Sequence, residues 1–326
     1  MKIHSSDNET LGAWFIIADD YYKGLGASSF LTSQPSIETV QSALQTRPTI
    51  LYFHGTASSR AGTWRVEHYL SWSSRLHANI FVVDYRGFAD SSGFPHEDGL
   101  KLDAIAAWTW LVDHGAKQED VLIMGHSLGT GVSGKLGSHL ASQGVKPRGV
   151  VLLAPFSSLP TLVQTYAIFG VPLLQPLQTF AWGRKLLQHL IHEEYDTLSL
   201  IRDINTPTLI VHATSDIEIS HSHSRTLLDH LLDPLLPPSV SLPNAPGIPV
   251  SDELFSAFIE GQAKRRDART ALVRRVDVPN FGSIEEFDGP FGSVTYVETL
   301  WGEHDKVGLQ EGVQDVIASM FGLGNQ

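Results

Sequence analysis

Five consecutive residues, Gly125-His126-Ser127-Leu128-Gly129, restrict what this chain can become more than any other stretch. They follow a short apolar run at 121–124 and precede a helical pattern rich in small residues, Gly129, Thr130, Gly131, Ser133 and Gly134. A strand that must turn into a helix within one residue throws the central side chain clear of the sheet. The positions two before and two after then have no room for a Cβ, and glycine stands at both. This is a nucleophile elbow in its required setting: Ser127 is the candidate nucleophile, and the helix behind it aims its N-terminal dipole and free N–H groups at developing negative charge.

The rest of the chain supplies the sheet that such an elbow needs. Short apolar runs at 11–18, 49–53, 80–84, 121–124, 149–153, 208–213 and 293–300 alternate with helical patterns at 64–75, 97–114, 130–143, 222–232 and 306–321. Strands apolar on both faces, separated by helix-length segments, predict an α/β architecture with a mostly parallel central sheet flanked by helices, in one domain over 1–326. Two segments break the rhythm. Residues 157–200 carry Tyr166, Phe169, Leu173, Leu174, Phe180 and Trp182 among helix-breaking prolines, which predicts a helical cap whose apolar side chains face a substrate. Residues 233–291 begin with six prolines between Pro234 and Pro249, predicting an exposed loop, and continue into a helix opening at Ser251. That helix is expected to carry Asp252 and Glu253 in its first turn and Lys264, Arg265, Arg266, Arg269, Arg274 and Arg275 towards its end, in the order that suits its dipole.

A serine hydroxyl needs a base and an orienting carboxylate, in the chain order Ser, acid, His. Asp216 lies just past the run 208–213, where the C-terminal edge of a parallel sheet presents its loops, and His304 follows the last strand pattern in Trp301-Gly302-Glu303-His304. Among 15 histidines these positions single out His304. His126 is read as packing beside the turn, His212 as a strand residue, and His221 and His223 as helix-start residues, since a His-x-His pair without a third ligand is a weak metal signal. Asp203 and Asp233 lie off the strand ends, and Asp305 reads as belonging to the start of the last helix. His54-Gly55-Thr56 ends the run 49–53, so the backbone N–H groups of Thr56 and Leu128 are the candidate oxyanion donors.

The runs Tyr52-Phe53-His54-Gly55, Arg65-Val66-Glu67, Asp84-Tyr85-Arg86-Gly87-Phe88-Ala89-Asp90-Ser91, Gly125 through Gly131 and Ala154-Pro155-Phe156 together resemble the α/β-hydrolase lipases that cleave monoacylglycerols and lysophosphatidylserine. The resemblance spans roughly 3–232 and resumes at 294. It implies an α/β-hydrolase fold and a serine hydrolase acting on single-chain lipid esters, monoacylglycerol or lysophospholipid, with Ser127, Asp216 and His304 in the matching positions. No metal or organic cofactor is expected. A tailoring hydrolase or acyltransferase with the same triad, and a catalytically silent binding protein of the same fold, are the alternatives.

Composition narrows the partners. With 23 Lys and Arg against 35 Asp and Glu the formal charge is −12, which argues against an extended nucleic-acid surface, and the absence of cysteine excludes thiol nucleophiles, thiolate metal sites and disulfides. No run is apolar enough to span a bilayer and no signal peptide is evident, so a soluble cytoplasmic protein is expected, with the endoplasmic reticulum membrane as the alternative if an anchor precedes Met1. The six basic residues from Lys264 to Arg275 are the candidate surface for peripheral contact with an anionic membrane; no obligate protein partner is expected. Asn8-Glu9-Thr10 matches an N-glycosylation acceptor and is read as a chance tripeptide.

Overall fold

The computed structural model describes residues 1–25, 34–165, 194–243 and 250–324. The centre of the sheet is built from runs buried on both sides. In β3 (Thr49–Phe53) all five residues are buried, and they alternate: Leu51 and Phe53 join one core cluster while Ile50 and Tyr52 join the other. The same holds in β4 (Asn79–Val83), β5 (Val121–His126), β6 (Gly149–Leu153) and β7 (Thr208–Ala213), each buried at every position. Such runs cannot leave a face to water, so helices must cover both. On one face lie α2 (Ile37–Thr46), α4 (Glu97–Asp113), α5 (Leu128–Ser142) and α8 (Ser222–Leu232), represented in one core cluster by Leu44, Trp108, Leu136 and Leu228. On the other face α3 (Thr63–Arg75) and α10 (Glu311–Phe321) contribute Trp72 and Ile317.

With β1 (Lys2–His4), β2 (Thr10–Ile16), β8 (Arg274–Val278), β9 (Gly282–Gly289) and β10 (Gly292–Thr299), the described residues form a ten-stranded sheet ordered β1-β2-β4-β3-β5-β6-β7-β10-β9-β8. The block from β4 to β10 is parallel, while β2 joins β4, and β9 joins β10, antiparallel. From β3 the chain first adds β4 on one side and then returns to add β5 on the other. The loops leaving β3 and β5 therefore part in opposite directions at their C-terminal ends, the switch point where α/β sheets open a crevice.

The expected α/β-hydrolase sheet with flanking helices is present, and several boundaries differ. The strand expected at 121–124 runs on to His126, so the first elbow glycine lies inside the strand. The last helix, expected from 306, starts at Glu311 after a 3-10 turn at Val307–Leu309. Neither α1 (Asp19–Gly24) nor α2 was expected; α2 is capped by Ser36, whose hydroxyl accepts from the Thr39 N–H at 3.3 Å.

The segment 233–291 differs most. Its helix α9 (Asp252–Leu272) begins after Ser251, whose hydroxyl accepts from the Leu254 N–H at 3.2 Å, and none of its residues is buried. The chain then forms β8 and β9, so the segment ends as part of the sheet rather than as helix and loop. Arg274 and Arg275 accordingly stand on β8, not at the end of a helix. They escape a helical pattern because Val273 leaves α9 in an extended conformation, with ψ 116°, and begins the edge strand. An edge strand carrying charges of both signs, such as Arg-Arg-Val-Asp-Val, is also the kind that discourages pairing with another chain.

The basic patch is largely neutralised by its own neighbours. Lys264 faces Glu260 at 2.7 Å, Arg265 faces Asp233 at 2.6 Å, Arg269 faces Asp229 at 2.6 Å, and Arg275 faces Glu285 at 2.9 Å. Arg274 pairs with Glu286 across the strands. Of the segment 157–200, α6 (Leu159–Thr165) and α7 (Thr197–Leu200) are described. The six cap side chains, Tyr166, Phe169, Leu173, Leu174, Phe180 and Trp182, lie outside the described residues.

Candidate active site

Ser127 occupies the one-residue turn between β5 and α5 with φ 52° and ψ −120°, a left-handed backbone that non-glycine residues seldom adopt. Neighbouring groups hold it there. The Ser127 N–H donates to Leu153 O at 3.0 Å, and its carbonyl accepts from the Thr130 N–H at 2.9 Å and the Thr130 hydroxyl at 2.6 Å. Space does the rest. A Cβ on Gly125 would stand 2.2 Å from the Gly129 carbonyl oxygen, and one on Gly129 would stand 2.0 Å from the Phe53 carbonyl oxygen.

Asp216 and His304 come together from the ends of β7 and β10, which pair in parallel. His304 donates from Nδ1 to Asp216 Oδ2 at 2.7 Å. The other carboxylate oxygen, Oδ1, accepts the N–H groups of Glu218 and Ile219, each at 2.9 Å, so the acid is fixed by its own loop. The two loops are also tied by the Glu303 N–H, which donates to the Ser215 hydroxyl at 3.2 Å. Burial alone would raise Asp216, yet the hydrogen bonds from His212 and His304 hold it well below the usual carboxylate range. For His304 burial acts downward, and the Asp216 hydrogen bond and charge, with Glu218 and Asp305, outweigh it and raise the imidazole above its ordinary value.

Ser127, His304, Thr56 and Leu128 line one cavity of about 440 Å³. Phe156, Leu159, Leu162, Val163 and Ile219 give it an apolar wall, and Glu218 and Asp305 add carboxylates. Glu218 is raised by burial and by the nearby charges of Asp305 and Asp216 against the opposing pull of His304. The cavity stands at the switch point, where the loop after β3 passes close to the elbow: a Cβ on Gly55 would lie 3.1 Å from the Ser127 Cβ.

Two histidines that the sequence leaves as packing residues touch the pair directly. His126 donates from Nε2 to the His304 carbonyl oxygen at 2.9 Å, and its own ring is pushed far below the ordinary imidazole value by burial and by the charge of His304. His212 sits with Nε2 3.2 Å from Asp216 Oδ2 and 3.0 Å from Ile219 O, while Nδ1 faces the Ser224 hydroxyl at 2.6 Å. The available signal was position: His126 adjoins Ser127, and His212 stands four residues before Asp216. By contrast His221 pairs with Glu298 at 3.1 Å and His223 with the Ser157 hydroxyl at 3.0 Å. The two rings thus serve separate partners, and among the described residues no group of three or more His, Cys, Asp or Glu could hold a metal.

A parallel sheet with a strained serine elbow and an Asp–His pair at the strand ends defines an α/β-hydrolase scaffold. Residues 50–318 match the model of the alpha/beta hydrolase family, and the chain belongs to that family. It is 32% identical over 183 residues to the lysophosphatidylserine lipase ABHD12 of Danio rerio, covering 56% of this chain and 47% of that protein. To the ABHD12 of Macaca fascicularis it is 27% identical, over 69% of this chain and 54% of that one. The chain thus spans about half the length of the curated relatives it matches. Among solved structures, an alpha-beta hydrolase from Vibrio vulnificus aligns with TM-score 0.51 and 18% identity over 83% of this chain and 73% of that one, a likeness of fold. No helix among the described residues is long and apolar enough to cross a membrane.

Proposed function

We propose that this protein hydrolyses carboxylic esters through an acyl-enzyme, with Ser127 as nucleophile, His304 as base and Asp216 as the carboxylate that orients it. The observation that carries this reading is the 2.7 Å bond from His304 Nδ1 to Asp216, with His304 and the strained Ser127 lining the same cavity. A proton held on Nδ1 leaves Nε2 with its lone pair, the tautomer a base requires. Ser127 Oγ adds to the acyl carbonyl as its proton passes to His304, and the N–H groups of Thr56 and Leu128 take the oxyanion. Collapse expels the alcohol, protonated by His304; water then repeats the sequence and frees the acid.

The proposed substrates are single-chain lipid esters, monoacylglycerols or lysophospholipids. The apolar wall from Phe156 to Ile219 suits an acyl chain, and the relatives named lysophosphatidylserine lipases act on such a lipid. The test is fluorophosphonate labelling together with a panel of monoacylglycerols, lysophospholipids and short p-nitrophenyl esters. Wild-type protein should label at Ser127 and cleave single-chain lipids best. Labelling or esterase activity that survives Ser127→Ala would overturn the mechanism, and a preference for short esters alone would overturn the substrate.

A further inference from the structure

Arg65, the third residue of α3, is 2% exposed, and among the described residues no carboxylate pairs with it. Its guanidinium is spent instead on three carbonyl oxygens of one loop. Nη1 donates to Ser59 O at 2.7 Å, and Nη2 donates to Gly55 O at 2.9 Å and also to Ala57 O. His54 Nδ1 lies 2.8 Å from the same Gly55 oxygen, while its Nε2 faces Asp84 Oδ1 at 2.9 Å. A buried cation answered by neutral carbonyls and the face of the Trp64 ring, 5.6 Å from its centre, with no carboxylate among the described residues, is a costly way to close a loop, since an apolar side chain of the same volume would fill the space without desolvating a charge.

What the charge controls is a peptide plane. The Gly55 carbonyl and the Thr56 N–H belong to one planar trans unit, in which C=O and N–H point in opposite directions. The Arg65 guanidinium held on Gly55 O therefore fixes the direction of the Thr56 N–H on the other side. A positive charge at the oxygen also polarises the amide and strengthens its N–H as a donor. Arg65 and Thr56 line the cavity that contains Ser127.

We propose that Arg65 is a positioning residue that aims and polarises the Thr56 N–H for the acyl oxyanion. The inference rests on the serine-hydrolase reading of Ser127. An oxyanion donor acts on the transition state and little on the bound ester, so its loss is a loss of kcat rather than a rise in KM.

The experiment uses the full chain and compares wild type with Arg65→Met and Arg65→Lys. It measures kcat and KM on a p-nitrophenyl ester and the Ki of an alkyl trifluoromethyl ketone, which adds Ser127 Oγ to its carbonyl and leaves an oxyanion. Removing an oxyanion donor outright costs about 10²–10³ in kcat, so a misdirected donor in Arg65→Met should cost about 10–100-fold, with KM within about twofold. The ketone Ki should rise by the factor by which kcat/KM falls, and Arg65→Lys, which keeps the charge, should recover part of both.

Ser127-dependent activity with kcat and Ki at wild-type values in Arg65→Met would overturn the Arg65 inference alone. So would a rise in KM equal to the rise in Ki, which marks a collapsed pocket rather than a misdirected donor. If Arg65→Met does not fold, Arg65→Lys decides by the same comparison. An inactive wild type, or activity surviving Ser127→Ala, would instead overturn the hydrolase reading.

Discussion

Adding one methyl group at different points along α5 should give opposite results, and the structure sets the sign at each. At Gly134 an added Cβ meets only Thr197 Cγ2 at 3.7 Å, an ordinary contact inside a helix. Gly134→Ala should therefore stabilise by about 0.5–1 kcal/mol, because alanine loses less backbone entropy on entering a helix. At Gly129 the same methyl falls 2.0 Å from the Phe53 carbonyl oxygen, whereas real Cβ atoms do not approach closer than 3.0 Å. Something must move by the difference, 3.0 − 2.0 = 1.0 Å, and the atom met is backbone at the end of β3, three residues before Thr56. Overpacking of this kind costs about 1–3 kcal/mol, and a displacement of about 1 Å within a reacting site costs on the order of 10²-fold in rate. Differential scanning calorimetry and ester hydrolysis on both variants test the pair. The expected outcome is a Tm raised by about 1–2 °C with full activity for Gly134→Ala, and a lowered Tm with kcat/KM down about 100-fold for Gly129→Ala. A Gly129→Ala protein with wild-type kcat/KM would refute the argument that crowding at the elbow is what demands glycine there.

Four further outcomes follow from the charges. On the proposed mechanism His304 is a base when neutral, and since its imidazole is raised above 6.5, kcat/KM should climb through an acid limb above pH 6.5. Asp216→Asn should lower that limb and cut kcat by about 10⁴-fold, as expected when the orienting carboxylate is lost; a pH–rate profile reads both. The same pair links stability to pH. His304 contributes stability that is complete below its unfolded value and lost as pH rises through the higher folded one, while Asp216 contributes stability present above 3.8 and lost as pH falls through its lower folded value. Urea midpoints measured across pH should fall at both ends, and the acid loss should be smaller in Asp216→Asn, the remainder coming from other depressed carboxylates such as Asp84 and Asp90. Glu218→Gln, which removes a charge that favours the protonated His304, should shift the acid limb of the rate profile downward, and an upward shift would contradict the electrostatic account. Finally Glu285, 4% exposed, accepts from Arg225, Arg269 and Arg275. Glu285→Ala should cost about 2 kcal/mol in urea unfolding, less than for a fully buried pair because the three guanidinium groups are partly solvated.

The parallel sheet was legible because its strands are buried on both faces: runs such as Ile50 to Phe53 and Val150 to Leu153 leave no other arrangement open. The elbow was legible for a different reason, since steric exclusion at Gly125 and Gly129 acts within five residues and writes itself into the sequence locally. What escaped was structure that depends on distant partners. Nothing in Arg274 to Val278, exposed at every position, marks a strand until β9 presents Glu285 and Glu286 opposite Arg275 and Arg274. The helix α2 escaped likewise: its burial is confined to Val40, Ala43 and Leu44, a short stripe that becomes informative only once the sheet lies beneath it.

The same distinction explains which parts of the site could be found. Asp216 and His304 could be picked out because each must stand just past the end of a parallel strand, a rule of topology that converts into sequence position. His126, His212 and Arg65 carry no such rule. Each acts through a backbone carbonyl or a carboxylate brought near by folding: His126 through His304 O, 178 residues away, His212 through Asp216, and Arg65 through Gly55 O. A carbonyl oxygen is present at every position of the chain, so a side chain selected to hold one leaves no partner residue type to search for. Supporting groups of this kind are therefore read from geometry, and in this fold they converge from α3, β5 and β7 on the three loops that carry Gly55, Asp216 and His304.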